Sequence, residues 1–274
     1  MAALDGAGVI TRAYGDPPTL RDKVTPMALS KSHHLRRAGL AVHALTASGA
    51  AAGLLALQAT IDGHIRAALL WLIVCQVLDG IDGPIARKLA VTDHAPQFDG
   101  HILDLVVDYV TCVVVPVAFM VRMDLLPSGW QMAVAALIVF SSALWFARTD
   151  LETEDAWFNG FPAAWNVVVP TFLILHTGRT WATIISVALC ILQLTSVKFP
   201  HLMRVKAMRA FTIPMMLLYL LALTVLSATY ESADLLNGPQ WAYWMLTLTP
   251  LYLLFIVVWR TWFSRRKVFG VSIL

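Results

Sequence analysis

Long apolar runs fix the environment of this chain. A helix that crosses the roughly 30 Å hydrocarbon core of a bilayer needs about 20 mostly apolar residues. Eight segments approach that length, at 38–60, 66–88, 100–121, 129–148, 162–176, 181–198, 208–229 and 240–262. Hydrophobic residues make up 58% of the 274, and charged residues only 14%, against about 25% charged in an average soluble domain. The expected fold is all-α, a polytopic transmembrane helical bundle of about eight spans. The fifth segment is short and contains Pro162 and Pro170. It reads as a re-entrant piece, or as one arm of a hairpin with the sixth.

Charge placement orients the bundle. Lys and Arg gather on the cytoplasmic side of membrane helices. With both termini inside, seventeen of the 20 basic residues fall on that side, and only Arg66, Arg122 and Arg179 fall outside. The alternation supports the count of eight. It places a polar segment, 1–37, and a basic tail, 263–274, in the cytoplasm on either side of a membrane domain at 38–262. The first 35 residues lack the pattern of a cleaved signal peptide. The basic residues bracket apolar runs and form no stripe suited to nucleic acid. Cys75, Cys112 and Cys190 stand alone in apolar runs, with no spacing that suggests zinc or a disulfide framework. In the first segment, Gly49 and Gly53 form a lone GxxxG among small residues that favour close helix approach.

Against this background four carboxylates are out of place. Asp79 and Asp82 lie in the second segment, Asp104 and Asp108 in the third. An Asp at a membrane helix centre costs about 2.5–3.5 kcal/mol on insertion scales. Helical periodicity puts Asp79, Asp82, Gly83 and Ala86 on one face. Gly100, Asp104 and Asp108, four apart, form a single stripe. The connecting loop is short, so antiparallel packing brings the two acidic faces together near the cytoplasmic boundary. Four close carboxylates repel one another, and hard divalent cations with oxygen ligands relieve that repulsion. Such a set suits two ions, which clamp a phosphate and the attacking or leaving oxygens of a displacement. Gly83 and Ala86 leave room for a phosphate or base, and Arg87 offers a forked guanidinium to a pyrophosphate. A cation or proton pathway is the other function for intramembrane carboxylates, but it gains little from the fixed charge of Arg87.

Written out, the segment is Asp79-x2-Asp82-Gly83-x2-Ala86-Arg87-x12-Gly100-x3-Asp104-x3-Asp108. It closely resembles the signature of the CDP-alcohol phosphotransferases. The twelve residues between Arg87 and Gly100 exceed the usual spacer and resemble the bacterial branch that joins choline to the phosphatidyl group of CDP-diacylglycerol, with release of CMP. FNGFPAAWN (158–166) and KFPHLMRVKAMR (198–209) resemble that branch more loosely. The resemblance implies a bacterial inner-membrane transferase, a homodimer, and Mg2+ or Mn2+ as cofactor. It makes Asp79, Asp82, Asp104 and Asp108 metal ligands, with Asp108 also the catalytic base toward the acceptor hydroxyl. Gly83, Ala86, Arg87 and Gly100 would line the CDP site. The family often has Asn-x-x-Thr near the nucleotide; here His43-Ala-Leu-Thr46 stands there, so Thr46 carries over and His43 departs. Serine, glycerol phosphate and inositol phosphate are the other acceptors to weigh.

Choline carries a quaternary ammonium with no N–H to donate, so aromatic faces are its natural partners. Tyr109, Trp145, Trp157, Phe158 and Trp165 are the candidates near the cytoplasmic side. An interfacial aromatic belt would use the same residue types.

Overall fold

The computed structural model describes residues 26–91, 95, 97–153, 155–201, 209–231 and 238–263, with side chains described from 34 onward. Eight helices account for most of them: α1 (Pro26–Ile61), α2 (Ile65–Lys88), α3 (Gly100–Arg122), α4 (Gln131–Phe146), α5 (Trp165–Ile174), α6 (Arg179–Gln193), α7 (Arg209–Ala228) and α8 (Gln240–Phe263). Each falls on one of the eight apolar segments. Five of them (α1, α2, α3, α7 and α8) are long and apolar enough to cross a membrane, whereas α4, α5 and α6 are shorter. The architecture is that of a multi-pass helical membrane protein. The basic tail at 263–274, apart from Phe263, and residues 202–208 of the 198–209 loop lie outside the described residues. The polar N-terminal segment overlaps them only at its end, where α1 begins at Pro26.

Between α1 and α2 the chain reverses in a tight turn. Gly63 has φ +75°, and His64 N–H bonds to Ala59 C=O at 2.9 Å while Gly63 N–H reaches Thr60 C=O at 3.2 Å. A left-handed residue here closes the last carbonyls of α1, and glycine takes that conformation without strain. The GxxxG of α1 is spent inside the protomer. A Cβ on Gly49 would meet the Val107 side chain at 2.9 Å, and one on Gly53 would meet Thr111 at 3.0 Å. The two glycines therefore let α1 lie directly on α3, along the stretch that carries Asp104 and Asp108.

α3 is the least regular helix. Asp99 caps it, its carboxylate accepting from His101 N–H at 3.0 Å and Ile102 N–H at 3.1 Å. Directly after Asp108 the backbone widens into a π-helical turn, Tyr109–Val114, before Val115–Arg122 resumes the α form with Pro116 near its start. Wide turns of this kind recur where a helix serves a site.

The fifth segment forms a short helix, α5. Ten residues rise about 15 Å, half the hydrocarbon thickness, and a short link returns the chain into α6. Both helices are held against α4 by buried polar contacts. Gln193 bridges Ser141 and Ser142 of α4 at 2.7 and 3.0 Å, and the Trp165 indole donates to Ser142 at 3.0 Å. Hydrogen bonds between helices hold a segment that packing area alone would not. On its other side α5 meets α7, where Thr171 and Tyr219 share a 2.6 Å hydrogen bond. The main core lies among α1–α6 around Phe119, Met120, Leu126, Ile138 and Trp165, and a second cluster joins α2 and α5 to α7 and α8.

One departure from the all-α expectation is a small antiparallel ladder. β1 (Trp157–Asn159) pairs with β2 (Lys198–Pro200), Phe158 opposite Phe199. It joins the two loops after α4 and α6. Extended segments flanked by Gly160, Pro162 and Pro200 cannot continue a helix, and pairing satisfies their backbone groups.

Candidate active site

Antiparallel packing of α2 and α3 brings the acidic faces together. Ligand oxygens of Asp79, Asp104 and Asp108 all lie within 4.8 Å of one another, each from a half-buried side chain. Asp82, one turn along α2, is 5% exposed and within electrostatic reach of the other three. Among the described residues no Lys or Arg forms an ion pair with any of the four. Gln76, one turn before Asp79, donates to its Oδ2 at 3.2 Å and accepts from Asn166 of α5 at 2.8 Å. The sequence reading missed this pair, although Gln76 stands at the i−3 position from Asp79 and Asn166 ends the FNGFPAAWN run.

Beside the carboxylates stand the small residues and the arginine. The Arg87 guanidinium folds back over Gly83, where a Cβ would meet its Nη1 at 3.1 Å. Gly83 thus makes room for this exposed side chain as well as for a ligand. Arg87 has no ion-pair or hydrogen-bond partner among the described residues and is free to take an anion. Ala86 is half-buried and packs against the cluster of Val42, Val91 and Ala95. Gly100 opens α3 against His43 of α1, whose Cε1 would lie 3.0 Å from a Cβ there. His43 is buried, its Nε2 has no hydrogen-bond partner, and its ring stands edge-on to Phe98 at 5.7 Å. Thr46, one turn on and also buried, returns its hydroxyl to Val42 C=O at 3.3 Å.

The aromatic candidates divide. Trp145 and Trp165 are 4% and 0% exposed and spend their indole N–H groups on Asn159 C=O and Ser142. Trp157 is buried, with Arg260 5.6 Å over its ring. Tyr109 and Phe158 are half-buried. Three of the candidates link through Phe146 of α4 into one row: Tyr109 to Phe146 at 5.9 Å, Phe146 to Trp145 at 5.0 Å, and Trp145 to Phe158 at 5.6 Å. The row starts at the residue after Asp108 and ends at β1.

Next to this row the loop after α4 carries a second, differently arranged set of charges. Arg148 grips Asp150 with two hydrogen bonds, 2.8 and 2.9 Å, and gives Nη1 to Gln193 C=O and Thr195 C=O at 3.1 and 2.8 Å. The guanidinium holds the Asp150 carboxyl below its usual pKa. Asp155 pairs with Arg260 at 2.5 Å. Partial burial opposes its charged form, but Thr153 and Arg260 outweigh that and keep its pKa low.

A family model described as CDP-alcohol phosphatidyltransferase matches residues 41–192, a stretch that runs from α1 through α6 and contains every carboxylate of the cluster. The chain belongs to this family. α7 and α8 lie beyond the matched stretch and pack on it through α2 and α5. The chain is similar to a phosphatidylcholine synthase of Pseudomonas aeruginosa, at 37% identity over 89% of this chain and 100% of that protein. It is similar also to proteins of the same name from Mesorhizobium japonicum, at 37% identity over 77% of this chain and 82% of that protein, and from Borreliella burgdorferi, at 33% over 67% and 79%.

Proposed function

We propose that this transferase is a phosphatidylcholine synthase that moves the phosphatidyl group of CDP-diacylglycerol to choline and releases CMP. The observation that carries the reading is the cluster of Asp79, Asp104 and Asp108, within 4.8 Å and without a Lys or Arg partner among the described residues, inside the family signature. The names of the relatives, matched over most of both chains, support choline as the acceptor.

The donor set fits a hard divalent cation. It is all carboxylate oxygen, in a compass that one ion spans, and among the described residues no Lys or Arg pairs with it. Asp82 supplies the fourth carboxylate that a second ion requires. Mg2+ and Mn2+ both accept such ligands. What a bound ion supplies here is positive charge against the pyrophosphate and the departing CMP. Arg87 adds a guanidinium to the pyrophosphate, while Gly83, Ala86, Gly100 and Thr46 give the nucleotide small or hydroxyl surfaces to lie on. The choline hydroxyl oxygen attacks the phosphorus that carries the diacylglycerol oxygen. The bond from that phosphorus to the CMP oxygen breaks, and CMP leaves with the electron pair. Asp108 takes the hydroxyl proton. The quaternary ammonium rests on the aromatic row that begins at Tyr109; within it, half-buried Tyr109 and Phe158 have ring surface to offer that Trp145 does not.

The same reading sets the bundle in a bacterial inner membrane as a homodimer, among membrane lipids, with both termini and the acidic site on the cytoplasmic side. The excess of Lys and Arg on that side supports the orientation. Incubating membranes that contain the protein with CDP-diacylglycerol and labelled choline tests it. Labelled phosphatidylcholine and stoichiometric CMP are expected. Product formed only with serine, glycerol phosphate or inositol phosphate would replace choline as the acceptor.

A further inference from the structure

We infer that Asn166 and Gln76 are positioning residues, a two-amide relay that holds the Asp79 carboxylate in its ligand orientation. The short helix α5 then governs how tightly the acidic cluster takes a divalent cation. The inference rests on the metal-site reading above and deepens it.

Polarity fixes the relay in one direction. An ionised carboxylate only accepts hydrogen bonds, whereas an amide side chain has one accepting and one donating end. Gln76 must therefore turn its Nε2 toward Asp79, and it does so at 3.2 Å from Oδ2. Its Oε1 is left facing away and needs a donor, which Asn166 Nδ2 provides at 2.8 Å. Reversing either amide would set oxygen against oxygen. The relay crosses 90 residues of sequence, from α5 to α2.

Its far end is firmly seated. Asn166 is 1% exposed and lies next to Trp165, which is wholly buried and bonded to Ser142. One turn further, Thr171 is tied to Tyr219 of α7. Asn166 Oδ1 is buried with no hydrogen-bond partner. An amide kept in the core while one of its ends goes unpaired gains nothing from burial alone. Its paired end is the one that reaches the carboxylates. Outer residues of this kind orient a metal's ligands, and their loss lowers metal affinity by about 10–100-fold.

The test is Mn2+ binding to the purified, detergent-solubilised protein without substrate, read by electron paramagnetic resonance of the free ion. Asn166→Ala and Gln76→Ala are expected to weaken binding by about tenfold. Asn166→Asp keeps the size but exchanges the donor for an acceptor, so it should weaken binding at least as much while eluting as a folded, monodisperse protein. In turnover, the metal concentration for half-maximal rate should rise in all three, with KM for CDP-diacylglycerol unchanged. Asp79→Asn serves as the reference. If it loses Mn2+ while the three amide variants bind like the parent, the relay is overturned and the metal site stands. If Asp79→Asn also binds like the parent, the metal reading fails and the relay fails with it.

Discussion

Two groups of carboxylates occupy neighbouring regions of this molecule and are treated in opposite ways. In the loops after α4, every described aspartate that faces its surroundings has an arginine: Asp150 has Arg148 at 2.8 Å, and Asp155 has Arg260 at 2.5 Å. In α2 and α3, Asp79, Asp104 and Asp108 crowd within 4.8 Å, and the nearest free arginine of the motif, Arg87, lies over Gly83 instead of pairing with them. Solvated loop carboxylates need no counter-charge, yet here they are given one, which ties α4, α6 and α8 together. Carboxylates in an apolar belt do need one and receive none from a Lys or Arg among the described residues. Under the proposed function, the difference separates carboxylates that close a structure from carboxylates kept open for a ligand.

The sharpest way to break that distinction is to neutralise each group in turn. Asp108→Asn is expected to lower CMP release by about 10²–10⁴-fold, the usual worth of a general base, and Asp79→Asn by a comparable factor through lost metal. Neither should unfold the protein, because removing a charge from a repelling cluster relieves strain. An active Asp108→Asn enzyme would take the base away from Asp108. Metal removal makes the same cut from outside. Chelation should abolish turnover, with Mg2+ or Mn2+ restoring it. Readdition should raise the melting temperature as well, since a ligand that binds only the folded state stabilises it. A melting temperature indifferent to metal would mean that the cluster holds none.

How much of this was legible in the sequence follows from the range of the signals. Eight apolar runs correspond to eight helices, and the spacing of Asp79, Asp82, Asp104 and Asp108 was enough to place them on facing stripes, because both are local properties of a helix. What was hidden is what depends on distant partners. The β1–β2 ladder pairs Phe158 with Phe199, and no periodicity in either segment announces it. Gln76 and Asn166 look like ordinary polar residues until the fold brings them together. Gly49 and Gly53 were legible as a surface for close packing, but only the fold names α3 of the same chain as what packs there. Residue type and position single out the aromatic candidates. Burial then splits them, since Trp145 and Trp165 have their polar ends committed to the protein while Tyr109 stands beside Asp108.

A smaller effect separates fit from chemistry within the open site. Arg87→Ala should raise KM for CDP-diacylglycerol by roughly tenfold, as the loss of one charge-assisted contact of about 1.5 kcal/mol would, with less change in kcat. Gly83→Val should do the same for a different reason, since its Cβ would displace the guanidinium now 3.1 Å away. A fall in kcat alone would place Arg87 in the transition state instead of in binding.

On the partnered side the expected effects are on stability. Arg148→Ala removes the bidentate grip on Asp150 and two caps on the carbonyls that end α6. A loss of about 1.5–3 kcal/mol follows for charged hydrogen bonds of a half-buried group, read as a lower melting temperature with metal affinity unchanged. The acid limb of stability should be the faintest signal and the most specific. Asp150 has its folded pKa lowered, chiefly by the Arg148 hydrogen bonds, from an ordinary 3.8. Its contribution is therefore complete above 3.8 and fades as pH falls through the lower, folded value. Asp150→Asn should destabilise the protein slightly at neutral pH, and the gap to the parent should close in acid below that value. The gap must come from Asp150 and the groups around it, chiefly Arg148 and more weakly Lys198, because Asp150→Asn leaves the site carboxylates and the Asp155–Arg260 pair as they were. Were the gap to persist undiminished in acid, the charge of Asp150 would not be what matters, and its partnership with Arg148 would be one of shape rather than electrostatics.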